Sequence, residues 1–252
     1  MISIIRRKCG IPINDIFFSR DPRSSPHQAT IQCFIQATIP MAGFVPFKTQ
    51  IIELKRTSTE LFAGLSSGTR YKIRRAERER VLPSLHPQPT SSHLTTFCEF
   101  YDTFARQKNR PSSNRAKLEA LRERDALAIS QAHDGDGSMI ASHAYVTDSS
   151  SERARLLYSA SHFRGTDSSE RRNFIGRANR LLHWFEIEQF KQLGFAHYDL
   201  GGIPMEDTDP EKNAIARFKS EFGGRHLIEF NGWISAHPIV KRCLPFLRRV
   251  FS

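Results

Sequence analysis

The stretch Leu193 to Gly224, LGFAHYDLGGIPMEDTDPEKNAIARFKSEFGG, constrains the fold more than any other part of the chain. Gly194 ends a long apolar helix, Ala196 to Leu200 read as a short strand, and Gly201-Gly202 break that strand ahead of an acidic loop. A further helix carries Phe218 and Lys219 on its last turns and stops at Phe222-Gly223-Gly224. Glycine pairs on both sides of one helix predict that backbone closely approaches a neighbour at each, where a Cβ would not fit.

With 252 residues the chain can bury a sizeable core, as one large domain or as a domain with a smaller lobe. Lys and Arg number 37 against 26 acidic residues, and the formal charge of +11 suits a polyanionic partner such as a nucleic acid, a nucleotide-linked substrate or an anionic membrane face. An ordinary basic surface would give the same count. The cysteines, Cys9, Cys33, Cys98 and Cys243, lie far apart with no Cys-x-x-Cys pair. They read as reduced core thiols of a cytoplasmic protein, and neither a disulfide frame nor a metal site is expected. No segment approaches the roughly 18 apolar residues of a spanning helix. The expected location is therefore the cytoplasm, with contact at the inner face of the membrane left open.

Taken in order, residues 1–27 are polar and punctuated by Pro and Ser, and they read as an irregular lead-in around Ile16-Phe17-Phe18. Strands are expected over 28–39 and 50–55, with a turn region over 41–47. Residues 1–64 thus form a small strand-rich lobe. Thr57 or Ser58 caps a short helix, and after Ser66-Ser67-Gly68 a basic helix sets Arg70, Arg74 and Arg78 on one face, with Arg75 on its flank. Such a face is either solvated or an anion site, since like charges at i, i+4 cost a few tenths of a kcal/mol per pair.

Beyond it come a strand over 81–86 and helices over 94–108 and 113–124. Three strands follow, over 127–132, 139–147 and 153–163, the first two joined by the hairpin signal Asp134-Gly135-Asp136-Gly137. A long apolar helix spans 173–193, and a last strand spans 226–235. An antiparallel meander followed by a strand–helix–strand crossover gives an α+β domain over 65–236 with a mixed sheet. Residues 237–252 read as a basic amphipathic helix interrupted by Pro245, which either covers the last strand or lies against anionic lipid.

Three segments resemble one family, in its motif order. LSSGTRYKIRRAERERV (65–81) resembles the Lys-Thr-Arg-Tyr-Asn-Ile-Arg segment of the Fem-type (FemABX-like) peptidoglycan-bridge aminoacyltransferases. NRLLHWFEIEQFKQLGFAHYDLGGI (179–203) resembles their Leu-Leu-x-Trp-Glu helix and Tyr-Asp-Phe-Gly-Gly-Ile strand, and IARFKSEFGG (215–224) their Phe-Lys-x-x-Phe-Gly-Gly. The resemblance implies the GNAT acyltransferase fold, a mixed and mostly antiparallel sheet flanked by helices, with a small strand-rich N-terminal remnant of a first GNAT unit. It also implies amide formation on an amine of a cell-envelope precursor, a peptidoglycan peptide or an amino sugar. The implied donor is aminoacyl-tRNA, with acyl-CoA as the alternative and no tightly bound cofactor. A catalytically silent RNA-binding module of the same fold is a further alternative. DNA is not an expected partner.

The resemblance places Lys219 beside the transferred group, where it would neutralise phosphate or a developing oxyanion; a surface lysine is the alternative. Asp199, at the end of its strand, is a candidate base or a cap for the glycines behind it, and Tyr198 a candidate proton donor or a packing residue. Donor and substrate contacts are expected from Arg70, Arg74, Arg75 and Arg78, from Gly201 and Gly202, and from Asn173 and Gly176 if CoA pyrophosphate is held at the start of the long helix. His183 reads as a packed histidine.

Overall fold

The computed structural model describes residues 1–8, 10–25, 29–162, 168–206, 209–235 and 237. The proposed tail helix over 238–251 lies outside them. Ten strands form one sheet in the order β1-β2-β3-β10-β4-β9-β8-β7-β6-β5. These are β1 (Ile2–Lys8), β2 (Ile11–Phe17), β3 (Ile31–Ala37), β4 (Val45–Glu53), β5 (Leu82–His86), β6 (Leu127–His133), β7 (Met139–Asp148), β8 (Arg153–Ser161), β9 (His197–Gly202) and β10 (Arg225–Ile234). The helices are α1 (Ser58–Ala63), α2 (Ser67–Arg78), α3 (Ser91–Gln107), α4 (Arg115–Arg122), α5 (Ser169–Gln192) and α6 (Pro210–Ser220).

The irregular lead-in expected over 1–27 is instead a pair of antiparallel strands, β1 and β2, with Ile2 opposite Phe17 and Lys8 opposite Ile11. The polar residues that disguised them satisfy one another across the pair. Arg6 Nε donates to Asp15 at 2.6 Å, both side chains being buried, and Ser3 Oγ donates to Asn14 at 2.7 Å. The meander β6-β7-β8 is antiparallel as expected, and the Asp134 carboxylate accepts the N–H groups of Asp136 and Ser138 inside its first turn.

Side-chain alternation divides the sheet into two covered faces. Ala128, Ala132, Tyr145, Leu156 and Tyr198 pack with α1, α2 and α5, around Leu61, Ile73, Leu182 and Phe190. On the other face Leu127, Ile129, Ala144 and Val146 pack with α3 and α4, around Leu94, Phe97, Leu118 and Leu121. α5 is the crossover between β8 and β9, which run parallel. Cys33 and Cys98 are buried free thiols, and burial pushes Cys33 up to about 12.

Candidate active site

The site begins where two neighbouring strands part. β8 pairs with β9 only from Arg153 opposite His197 to Arg155 opposite Asp199, while β8 continues to Ser161 along β7. Beyond Arg155 the two strands diverge. The fork opens a cavity of about 750 Å³, lined by β8 from Arg155 to Ser159, by Leu200, Gly201 and Gly202 of β9, and by Ile215, Phe218 and Lys219 of α6. Asn179 and His183, one turn apart on α5, reach it from one side, and Phe47, Tyr101 and Phe104 from the other. At the rim, Glu211 of α6 pairs with Arg110 at 3.0 Å and Lys108 at 3.6 Å, both just beyond α3.

The glycines allow this geometry. β9 takes in Gly201 and Gly202, two residues beyond the expected strand, and ends there, with an irregularity in its pairing to β4 between Thr49 and Ile51. Gly201 has φ +76, and a Cβ there would lie 3.1 Å from the Leu156 carbonyl oxygen and 3.8 Å from Lys219 Nζ. At the far end of α6, Gly224 has φ +84 and a Cβ would lie 2.3 Å from the Ile51 carbonyl oxygen. The close approaches expected at both glycine pairs are thus to the chain's own atoms, backbone at Gly201, Gly223 and Gly224 and the Phe47 ring at Gly202.

Lys219 lines the cavity and donates to the Gly202 carbonyl at 2.7 Å. Burial lowers its ammonium to about 8, helped by the cation of Arg155 and opposed by Asp199. Arg155 is the cation that sequence reading missed. Its side chain is half-buried, and Nε is sealed from solvent with no hydrogen-bond partner among the described residues. Burial lowers the guanidinium's pKa as well. Two under-compensated cations on one cavity wall are suited to an anionic group. The alternation Arg153-Ala154-Arg155 in a strand was the available signal, since it puts both arginines on one face.

Asp199 and Tyr198 are both fully buried and absent from the cavity lining, on opposite faces of β9. Asp199 accepts hydrogen bonds from Thr49, Gln36 (2.9 Å), Arg153 (2.6 Å) and the Gly201 N–H (2.8 Å). Burial alone would raise its pKa, but Arg153 and Arg155, followed by Thr49 and Gln36, hold it below the usual range. Its carboxylate therefore anchors the glycine break behind the cavity. Arg153 also pairs with Glu229 of β10 at 2.7 Å, tying β8, β9 and β10 together.

Tyr198 joins a buried network centred on Glu186 of α5, which gathers Ser130, His143, Tyr145 and Tyr198. His143, His183 and Glu186 bring one nitrogen or oxygen each within 4.8 Å of one another. Each carboxylate oxygen, however, is already taken by two donors, so the cluster is a hydrogen-bonded network. A glutamate and a histidine three residues apart on an otherwise apolar helix face were the sequence signal for it.

The basic helix α2 packs on α5 away from the cavity lining. Arg70 donates to the carbonyls of Ala63 and Leu65, and Arg75 pairs with Glu79 at 2.9 Å. Arg74 and Arg78 are exposed, Arg74 lying over the Phe62 ring. Asn173 and Gly176 sit in the body of α5, which begins at Ser169, so their N–H groups are committed to the helix.

One solved structure covers nearly the whole chain and shows the architecture. FemX matches it with a TM-score of 0.62 at 12% identity, over 99% of this chain and 86% of FemX. The fold is the GNAT acyltransferase fold. L-PGS from Bacillus licheniformis shares it with a TM-score of 0.54 at 14% identity, over 85% of this chain and 73% of that one. So does the C-terminal domain of a protein described as a lysylphosphatidylglycerol synthetase from Agrobacterium fabrum, with a TM-score of 0.54 at 14% identity over 88% and 72%. No family profile and no curated protein matches the sequence. FemX thus has the fold that the three sequence motifs imply. Among the described residues, no helix is long and apolar enough to cross a membrane.

Proposed function

We propose that the chain joins an acyl group to an amine of a cell-envelope precursor, taking the acyl group from aminoacyl-tRNA. The observation that carries this reading is the pairing of Lys219 and Arg155 on the wall of the fork cavity, beside the backbone of Gly201 and Gly202. Joining an amine to an activated carbonyl builds negative charge on the carbonyl oxygen, and fixed cations in a water-poor cavity stabilise that charge more than water does. Arg155, whose Nε has no hydrogen-bond partner among the described residues, suits a phosphate or carboxylate of either substrate. The amine attacks the donor carbonyl directly, and Asp199 acts as a positioning residue through the Gly201 N–H. The likeness to FemX and to a domain named for lysylphosphatidylglycerol synthesis supports aminoacyl transfer.

The test offers purified protein charged tRNA or acetyl-CoA, each with a panel of amino-sugar and peptide amines, and follows labelled acyl transfer. Transfer from charged tRNA is expected. Transfer from acetyl-CoA alone would overturn the donor, and tRNA binding without transfer to any amine would make the chain a silent RNA-binding module.

A further inference from the structure

The buried network has one open end, and it faces the cavity. Glu186 is fully buried, and its Oε1 accepts from Ser130 Oγ and from His143 Nδ1 at 2.7 Å. Its Oε2 accepts from Tyr145 Oη at 2.5 Å and from Tyr198 Oη at 2.8 Å. With the Tyr198 proton given to Glu186, the Tyr198 oxygen is left as an acceptor 2.7 Å from His183 Nδ1. That arrangement selects the tautomer of His183 with its proton on Nδ1. Nε2 then carries a lone pair and has no hydrogen-bond partner among the described residues, on a ring that lines the cavity.

We infer that His183 is the proton acceptor for the incoming amine, and that Tyr198 and Glu186 are positioning residues that fix its tautomer. The inference rests on the reading of the cavity as a site of acyl transfer to an amine. The same logic of nucleophile, imidazole and orienting carboxylate operates in hydrolytic triads, here with the Glu186 carboxylate 3.2 Å from His183 Nδ1 and the Tyr198 hydroxyl bonded to both.

The surroundings of the ring keep it neutral, with its lone pair free at pH 7, and the same burial makes it a weak base whose cationic form depends on the Glu186 carboxylate, 3.2 Å from Nδ1. His143 of β7 stacks on it with centroids 4.4 Å apart, and Phe218 and Phe222 lie at 5.6 and 5.1 Å. Burial, then His143 and the more distant Lys219 of α6, lower His183 to about 4, against the pull of Glu186. Tyr145 and Tyr198 are kept protonated, pushed far above their ordinary range by burial and then by Glu186.

The proton balance is complete. An ammonium N–H bond breaks as an N–H bond forms at His183 Nε2, and the freed nitrogen lone pair attacks the donor carbonyl. The tetrahedral adduct then expels the donor alcohol, which takes the second proton from the new amide nitrogen. His183 returns the first proton to water. During its cationic interval the ring is stabilised by the Glu186 carboxylate, both directly at 3.2 Å and through Tyr198.

Two measurements test this. In full-length protein with 15N-labelled histidine, NMR at pH 7 should show the signal that vanishes in His183→Gln as a neutral ring protonated at Nδ1. A ring protonated at Nε2, or a cationic ring, overturns the inference whether or not transfer has been found. In the transfer assay, an alkylamine that is protonated at pH 7 is compared with hydroxylamine, which is largely neutral there. His183→Gln should lower kcat by about 100-fold or more with the alkylamine, but by less than about tenfold with hydroxylamine, at similar KM. Equal losses with both nucleophiles, or wild-type kcat, overturn it. Should His183→Gln misfold, Tyr198→Phe keeps the ring and removes only the orienting oxygen; it should lose kcat for the alkylamine selectively and change the His183 tautomer ratio. Absence of transfer in wild-type protein with every donor would instead defeat the reading of the cavity.

Discussion

Lys219 Nζ donates to the carbonyl oxygen of Gly202 at 2.7 Å, joining the last turn of α6 to the glycine break of β9. The contact places a cation at the end of the strand fork, where the backbone of one motif holds the side chain of another.

Lys219→Ala should retain the fold and lose about 100-fold in transfer rate, the equivalent of about 3 kcal/mol of transition-state stabilisation. Because burial lowers this ammonium to about 8, activity that needs the cation should decline as pH rises through that value. Lys219→Arg keeps its charge at higher pH and should lack that alkaline decline. Rate profiles between pH 6 and 9.5, paired with thermal melts, check both statements; wild-type turnover in the alanine variant would end the assignment.

Arg155→Met should stabilise the chain while weakening substrate binding. The guanidinium Nε is buried without a partner, so its removal relieves a desolvation penalty of about 1 kcal/mol or more. KM for the anionic substrate should rise at least tenfold. Urea unfolding and initial rates on the same preparation decide the matter, and a loss of stability with unchanged KM would make Arg155 a structural residue.

The glycines separate by their surroundings. Gly224→Ala puts a Cβ against the Ile51 carbonyl at φ +84 and should cost about 2 kcal/mol or more. Gly176→Ala lies inside α5 with nothing within 4 Å of the added Cβ, and should stabilise by about 0.5–1 kcal/mol. Chemical denaturation of the two variants should therefore move in opposite directions.

Acid should unfold the chain through its buried network. His183 titrates at about 4 when folded against 6.5 ordinarily, so the unfolded chain binds a proton that the folded one refuses between those values. Stability is full above pH 6.5 and falls toward pH 4. Glu186 acts in the same direction at lower pH. Although burial would raise its carboxyl, His143 and His183 hold it well below 4.5, so its contribution is lost as pH falls beneath that value. Urea midpoints at pH 7, 5.5 and 4.5 should descend, with a shallower slope in His183→Gln.

Arg74 and Arg78 are the exposed pair on α2. Reversing both to Glu should weaken tRNA binding at low salt, by a margin that shrinks as salt rises, because each phosphate contact releases counterions. Unchanged affinity at low salt would leave the face merely solvated.

The sequence alone determined those parts of the protein whose causes are local. The period-2 runs of β6, β7 and β8, the Asp-Gly hairpin, the apolar length of α5 and the two glycine pairs each carry their signal within a few residues, because they record which backbone angles and which faces neighbouring side chains permit. The three motifs likewise placed Lys219, Gly201 and Gly202, all of which line the cavity. What only the tertiary structure decided depends on partners far along the chain. β10 enters between β3 and β4, and β1 and β2 are strands because Arg6 meets Asp15 and Ser3 meets Asn14 across the pair. Arg155 gains its significance from a buried Nε without a hydrogen-bond partner among the described residues, and Glu186 from collecting Ser130, His143, Tyr145 and Tyr198 from three strands. Desolvation is the physical reason: a charge or hydroxyl behaves as its buried neighbours dictate, and those neighbours are chosen by strand pairing and helix docking, which local periodicity does not encode.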